Sequence, residues 1–254
     1  MSQQLRRRFT LGLAILFASR QARSQGNADE RKQRILRIER TATPETLDRK
    51  RRSETVLRAE GVRVNASLPS IQSEATSRRR STSEVAFRAM ALLAIAARGE
   101  GVQPETVNKI IQQYGLQPAL SPKELRFLSS TQPSQQDLVQ FSWRYEAAWV
   151  LLWALGYVEK LAKPASMCDA PKAVAFMRER TAKQFISSAT LRPQAKMLDW
   201  ADLAYRYHWA VTEARVRGGP APSVDAGVVL EWHYTLNWLI GYMEQPWDEI
   251  STDT

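Results

Sequence analysis

The sequence predicts an all-α protein: a single multi-helix globular domain around a buried central helix, with an N-terminal leader and a basic arm in front. Three observations carry this. Helix-start signatures recur along the chain, with a Ser cap followed by Pro or by Glu three residues on ("STSE", "LSPKE"), and such caps satisfy amides that a helix end leaves unpaired. The stretch Ala147 to Val158 is apolar on every side, as a buried helix is. No period-two alternation or hairpin dipeptide competes with these patterns.

Taken in order, a charged helix is expected near 29–40, broken at Pro44, and a second over 44–60, ending at Gly61. "VRVNASLPSI" reads as irregular, because Pro69 lacks a donor and biases Leu68 away from helix. Ser81 and Glu84 open the next helix, which Gly99 and Gly101 stop. Pro104 opens a helix ending at Gly115, and Ser121, Pro122 and Glu124 open another. "SQQDLVQFSWRYEAAWVLLWALGYVEKLA" is the longest helical pattern, and its twelve-residue apolar part is too short to span a bilayer. One helix is expected across "DAPKAVAFMRERTAKQFISSA", capped by Asp169 with Pro171 at its start. Another runs from about 194 to Gly218 and Gly219, and the last is capped by Ser223 and runs through Tyr242. There is no internal repeat.

Of 254 residues, 44% are hydrophobic and 24% charged, enough apolar bulk for one core. The single cysteine, Cys168, excludes an internal disulfide framework and any multi-cysteine zinc site. The net charge of +10 is unevenly spread. Residues 1–24 hold five arginines and no acid, residues 25–90 hold fifteen Lys/Arg against nine Asp/Glu, and residues 91–254 hold sixteen against seventeen. The helical part is thus nearly neutral, which disfavours nucleic acid as its partner. Arg6, Arg7 and Arg8, the apolar run Phe9 to Ala18, and small Ala22 and Ser24 follow the order of a bacterial export signal. "RRRFTL" resembles the twin-arginine form; a general secretory signal is the alternative. The organisation expected is a signal over 1–24, a basic arm over 25–48 and the domain over 49–254. The mature chain is then periplasmic, or cytoplasmic if the leader does not function.

The two histidines are the obvious candidates for chemistry. Each residue of a helix turns about 100° from the last. That puts His208 on a small apolar face with Met197, Ala201, Ala204, Tyr205 and Val211, opposite Asp199, Asp202, Arg206 and Glu213. Asp202 and Arg206 stand at ion-pair spacing, worth about 0.2–0.5 kcal/mol if exposed. His233 shares its face with Val229, Leu230, Leu236, Asn237 and Ile240, and Asn237, one turn on, is placed to hold one imidazole nitrogen. Glu231 falls elsewhere, facing out with Thr235, Trp238 and Tyr242, and the same phase separates Arg144 from Glu146. Neither histidine has a carboxylate at the one-turn spacing of a local metal or catalytic pair. No cofactor and no metal is expected, and Cys168 reads as an ordinary thiol.

The blocks "RRSETVLRAEGVRVNASLP", "LSPKELRFL", "FSWRYEAAWVLLWALGYVEKL", "ADLAYRYHWAVTEAR" and "VVLEWHYTLNWLIGYMEQPWDEISTDT" together resemble the bacterial domain of unknown function (DUF) 4272 family, from about residue 49 to the end. The export-like leader departs from that pattern. The resemblance implies that Trp143, Arg144, Glu146, Asp202, Arg206, His208, Trp209, Glu231, His233, Asn237, Trp238, Trp247, Asp248 and Asp253 lie in family motif blocks, and it implies no activity. It also implies that Trp247 and the acidic tail dock on the core. Two functions are expected from this set. One is a non-enzymatic α-helical binding protein, immunity-like or envelope-associated, with an unidentified protein partner and Trp143, Trp209, Trp238 and Trp247 as aromatic anchors. The alternative is an enzyme or small-molecule site built from Arg144, Glu146, Asp202, Arg206, His208, Glu231, His233 and Asn237.

Overall fold

The computed structural model describes Gln33, residues 42–219 and residues 222–254. The leader, and the helix expected near 29–40 apart from Gln33, lie outside the described residues. Thr43–Thr254 form one compact unit. Among the described residues every regular element is helical: α1 Pro44–Ala59, α2 Thr82–Gly99, α3 Pro104–Tyr114, α4 Pro122–Ser129, α5 Gln135–Ser142, α6 Arg144–Ala154, α7 Ala170–Arg178, α8 Ala182–Ser187, α9 Gln194–Arg217 and α10 Ala226–Leu239. Short 3-10 turns lie at Glu74–Thr76, Gln117–Ala119, Tyr242–Glu244 and Trp247–Glu249. α1 starts at Pro44 and buries Thr46, so residues 43–48 belong to a helix of the domain.

The starts follow local chemistry. Glu84 N–H donates to Ser81 Oγ at 3.1 Å while Ser81 N–H donates to the Glu84 carboxylate at 2.8 Å. The same reciprocal box closes the starts of α1, α4, α5 and α8. Three expectations are corrected. The pattern over 134–162 is not one helix: α5 and α6 meet at Trp143, and α6 ends at Ala154, ahead of left-handed Gly156. α9, with 24 residues, is the long helix of the described part. The segment after Asp169 is two helices, because Thr181 and Gln184 form a second box that starts α8. The last helix is capped by Asp225, whose carboxylate accepts from Gly227 N–H and Val228 N–H. Ser223 instead accepts from Lys163 Nζ.

α2 and α6 lie against each other at the centre of the core. Both are buried nearly all round, including Met90, Leu92, Ile95, Val150, Leu151 and Leu152. Each such aliphatic side chain contributes about 1.5–3 kcal/mol on burial. α5, α3, α4 and α8 pack on α2, while α10 packs on α6 and carries α9, which in turn carries α1. A smaller cluster of Leu57, Val62, Tyr207, Ala210 and Val229 joins α1, α9 and α10. The close approach of α2 to α5 depends on Gly99, where an added Cβ would stand 2.8 Å from the Phe141 backbone carbon and 2.9 Å from the Leu138 carbonyl oxygen. Both are backbone atoms that cannot swing aside.

Replacing Gly99 with Ala is expected to cost about 1–3 kcal/mol by overpacking. Gly115→Ala, in open space at φ +64°, should cost only its backbone strain, about 1–2 kcal/mol. Urea denaturation of the two variants measures the difference.

Candidate functional site

α9 and α10 turn their histidines toward each other: His208 Nδ1 lies 3.0 Å from His233 Nδ1. His233 is fully buried, whereas His208 is half-buried at the edge of the pair. One turn on, Asn237 Nδ2 lies 3.1 Å from His233 Nε2 and 2.8 Å from the Ser251 carbonyl oxygen. A carbonyl only accepts, so this atom is the amide nitrogen and donates to both. His233 Nε2 therefore accepts, its single proton sits on Nδ1, and His208 Nδ1 accepts it. The remaining proton of His208 is on Nε2. Burial, with the His208 ring beside it, pushes His233 down to about 3. Burial and the Arg215 charge also lower His208.

This arrangement decides against metal on the pair. A metal on His233 Nδ1 needs Nε2 to carry the proton and donate outward, yet Nε2 faces the Asn237 amino group. Among the described residues no three His, Cys, Asp or Glu side chains are grouped to hold an ion. General-base chemistry at His208 is disfavoured for the same reason, because its outer nitrogen bears the proton.

The other predicted polar residues form separate pairs. Asp202 and Arg206 do not lie on an exposed face. Asp202 accepts from Arg206 Nε at 2.8 Å and from Nη2 at 2.9 Å, both residues are buried, and Arg206 Nη2 also donates to the Pro69 carbonyl. That face is covered by α1, whose Glu54 stands 4.0 Å from Arg206 Nη1. Asp199 faces α1 as well, paired with Arg49 and Arg52. Glu231 does not point to solvent either: it pairs with Arg144 at 2.8 Å, in a position where Thr235 and Trp238 beside it are buried. Burial opposes the Arg144 charge, but Glu231, Tyr234 and Glu124 together more than offset it and raise the guanidinium above its ordinary value. Glu146 faces away from Arg144, accepting from Cys168 N–H at 2.5 Å and Trp232 Nε1 at 3.0 Å. Burial pushes its pKa up, against those two hydrogen bonds. Burial and the Glu146 charge raise the Cys168 thiol, the opposite of the shift that activates a nucleophile.

The aromatic anchors split. Trp143 packs over Gly227, where a Cβ would sit 2.5 Å from its ring, and half-buried Trp209 borders the small cluster. Trp238 and Trp247 instead meet edge to face, with centroids 5.5 Å apart, and both line a cleft of about 540 Å³ between the start of α2, the start of α4 and the C-terminal strap 240–251. Phe87, Leu120, Pro122 and Pro246 give it apolar walls, and Ser83, Glu84 and Glu249 lie at its rim. Arg88 stacks on Trp247 with its guanidinium carbon 4.0 Å from the ring centre, is ion-paired through both terminal nitrogens to Glu124, and donates to the Ala119 carbonyl. Arg80 stacks likewise on Trp238 at 3.9 Å and donates to its carbonyl. Sequence reasoning missed Arg88, Glu124, Phe87 and Arg80. The lone arginine within the apolar run "VAFRAMALLAIA" was the available signal, since a charge there needs a buried partner.

The strap begins with strain. Met243 and Glu244 both have positive φ, 53° and 54°, a conformation costing about 1–2 kcal/mol per non-glycine residue. It is held by the Tyr234 hydroxyl donating to the Trp247 carbonyl, by Ser251 N–H donating to Gln245 Oε1 at 2.8 Å, and by Asn237 on the Ser251 carbonyl. Trp247, Ile250 and Ser251 are buried, so Trp247 docks as expected, while the acids Glu249 and Asp253 stay exposed.

A family model described as domain of unknown function (DUF4272) matches residues 49–250. No curated protein matches, and no solved structure matches.

Asp202→Asn should cost about 3–5 kcal/mol, because it leaves Arg206 buried and uncompensated; chemical denaturation reads this directly. His233 has a lower pKa folded than unfolded, so the unfolded chain takes up the proton first. Its contribution is intact above about pH 6.5 and is lost as pH falls toward about 3. Between pH 7 and 5 the loss from this residue should be about 2 kcal/mol. Denaturation curves at the two pH values should show it, with a flatter dependence in His233→Gln.

Proposed function

Because this chain belongs to the DUF4272 family, a domain of unknown function matched over residues 49–250, we propose from its own geometry that it is a binding protein whose ligand occupies the cleft between α2, α4 and the C-terminal strap. The observation that carries this is the cleft itself: about 540 Å³, apolar on most sides, with a few polar groups at the rim. Ligand sites have this size and make-up. Two of the charges around it are already paired, Arg88 with Glu124 and Glu84 with Arg78 and Arg80. A largely apolar ligand group suits such walls. The enzymatic alternative needs a base or nucleophile at a cavity. His208 turns its Nε2–H outward while its Nδ1 accepts from His233, and neither histidine lines the cleft.

Export is the second part of the proposal. It is supported by the order Arg6 to Arg8, the apolar run 9–18 and the small pair Ala22 and Ser24. Among the described residues no helix is long and apolar enough to cross a membrane. An exported binding protein of this kind works at the cell envelope.

A fluorinated aromatic fragment set, screened by fluorine NMR, should yield binders that protect the Trp247 indole signal. Ser83→Trp places bulk at the exposed rim and should weaken them at least tenfold with an unchanged melting temperature. Fragments indifferent to Ser83→Trp would remove the cleft from consideration. A fusion of residues 1–30 to a reporter should fractionate with the periplasm, and a wholly cytoplasmic reporter would refute export.

A further inference from the structure

We infer that the His208–His233–Asn237 chain is a proton-operated clasp on the C-terminal strap, so that acid loosens one wall of the cleft. The functional consequence rests on the cleft being the binding site; the clasp itself does not.

The clasp is a count of protons. Ser251 carbonyl, Asn237 Nδ2, His233 Nε2, His233 Nδ1 and His208 Nδ1 follow one another at 2.8, 3.1 and 3.0 Å across the successive hydrogen bonds. In the neutral state each contact has one donor and one acceptor. One added proton leaves no such assignment while the rings stay in contact. If His208 takes it on Nδ1, two N–H groups face each other unless His233 moves its own proton to Nε2. That proton, or one taken directly by His233, then meets the Asn237 amino group. Rotating the Asn237 amide would offer Oδ1 to the imidazolium, but it sets that oxygen against the Ser251 carbonyl. As long as His208 stays against His233 rather than turning out to water, each relief costs the Asn237–Ser251 hydrogen bond.

The groups around the pair do not absorb the charge. α9 presents the Tyr205 ring, 5.6 Å from His233, and Arg215, whose charge disfavours a second cation at His208. α10 presents Asn237, and the strap presents the Ser251 carbonyl. Burial holds both rings neutral near neutral pH, so the clasp is closed there and opens in acid.

The strap is what the clasp restrains. Pro246, Trp247, Asp248 and Glu249 wall the cleft, two residues after the left-handed Met243 and Glu244. With the Ser251 anchor lost, that strained turn is opposed by the contacts of Trp247 to Tyr234 and Arg88 and by Lys123, which donates from its backbone N–H and its Nζ to Asp248.

The indole N–H signals of the full-length ¹⁵N-labelled protein test this, with Trp247 assigned by Trp247→Phe. Between pH 7.5 and 4.5, the Trp247 signal should shift with a midpoint below 6.5 while those of Trp153 and Trp200, packed edge to face in the core, stay in place. His208→Gln still offers an acceptor to His233 but cannot titrate, and should lower the midpoint by at least one pH unit. Asn237→Asp removes the donor to Ser251, and should give the acid-form Trp247 signal already at pH 7. The inference is overturned if Trp247 moves only together with Trp153 and Trp200, or if His208→Gln titrates like the wild type. A cleft that binds none of the fragments at any pH would overturn the binding reading, and the Trp247 titration would still decide the clasp.

Discussion

Two apolar helices packed against each other, α2 and α6, set the terms for everything around them. Because both are buried nearly all round, the polar residues that the covering helices turn inward are cut off from water. Each charge carried inward must then meet its partner on another element or one turn along its own helix. Arg88 finds Glu124, Arg144 finds Glu231 and Arg206 finds Asp202. The pairs fix the rotation of α4, α6, α9 and α10 about their axes more tightly than apolar packing alone, since an apolar face tolerates slippage and a buried ion pair does not.

The same constraint shapes the candidate site. Arg88 is held flat by Glu124, and its other face supports Trp247, which turns a charge that had to be buried into one wall of a cleft. Trp247 reaches that position only because the strap after α10 folds back, through two residues in left-handed backbone, and is held at Ser251. That tie ends a chain beginning at His208 near the surface. The histidines are therefore not isolated core residues. They are the polar interior of a joint between two helices and the C-terminal strap.

Much of this architecture was legible along the chain. The starts at Ser81, Pro104, Ser121 and Asp169 and the stops at Gly115 and Gly218 were readable, because a cap is complete within about four residues. The contact of Asn237 with His233 was readable for the same reason. The break at Trp143 was not: no Gly or Pro marks it, and it follows from α5 lying on Gly99 and from Trp143 packing over Gly227. The orientation of Glu231 and of Asp202 with Arg206 was misread as outward. Helical phase gives the angle between two residues of one helix, but says nothing about which directions are covered.

By itself, then, the sequence determined an all-α chain, most of its helix starts and its family, since these depend on residues a few positions apart or on whole motif blocks. Only the tertiary structure decided that His208 meets His233, that Arg88 and Trp247 stack beside a cleft, and that the tail is tied to Asn237. Each of those contacts joins separate elements, and is set by how helices dock rather than by any one helix's own pattern.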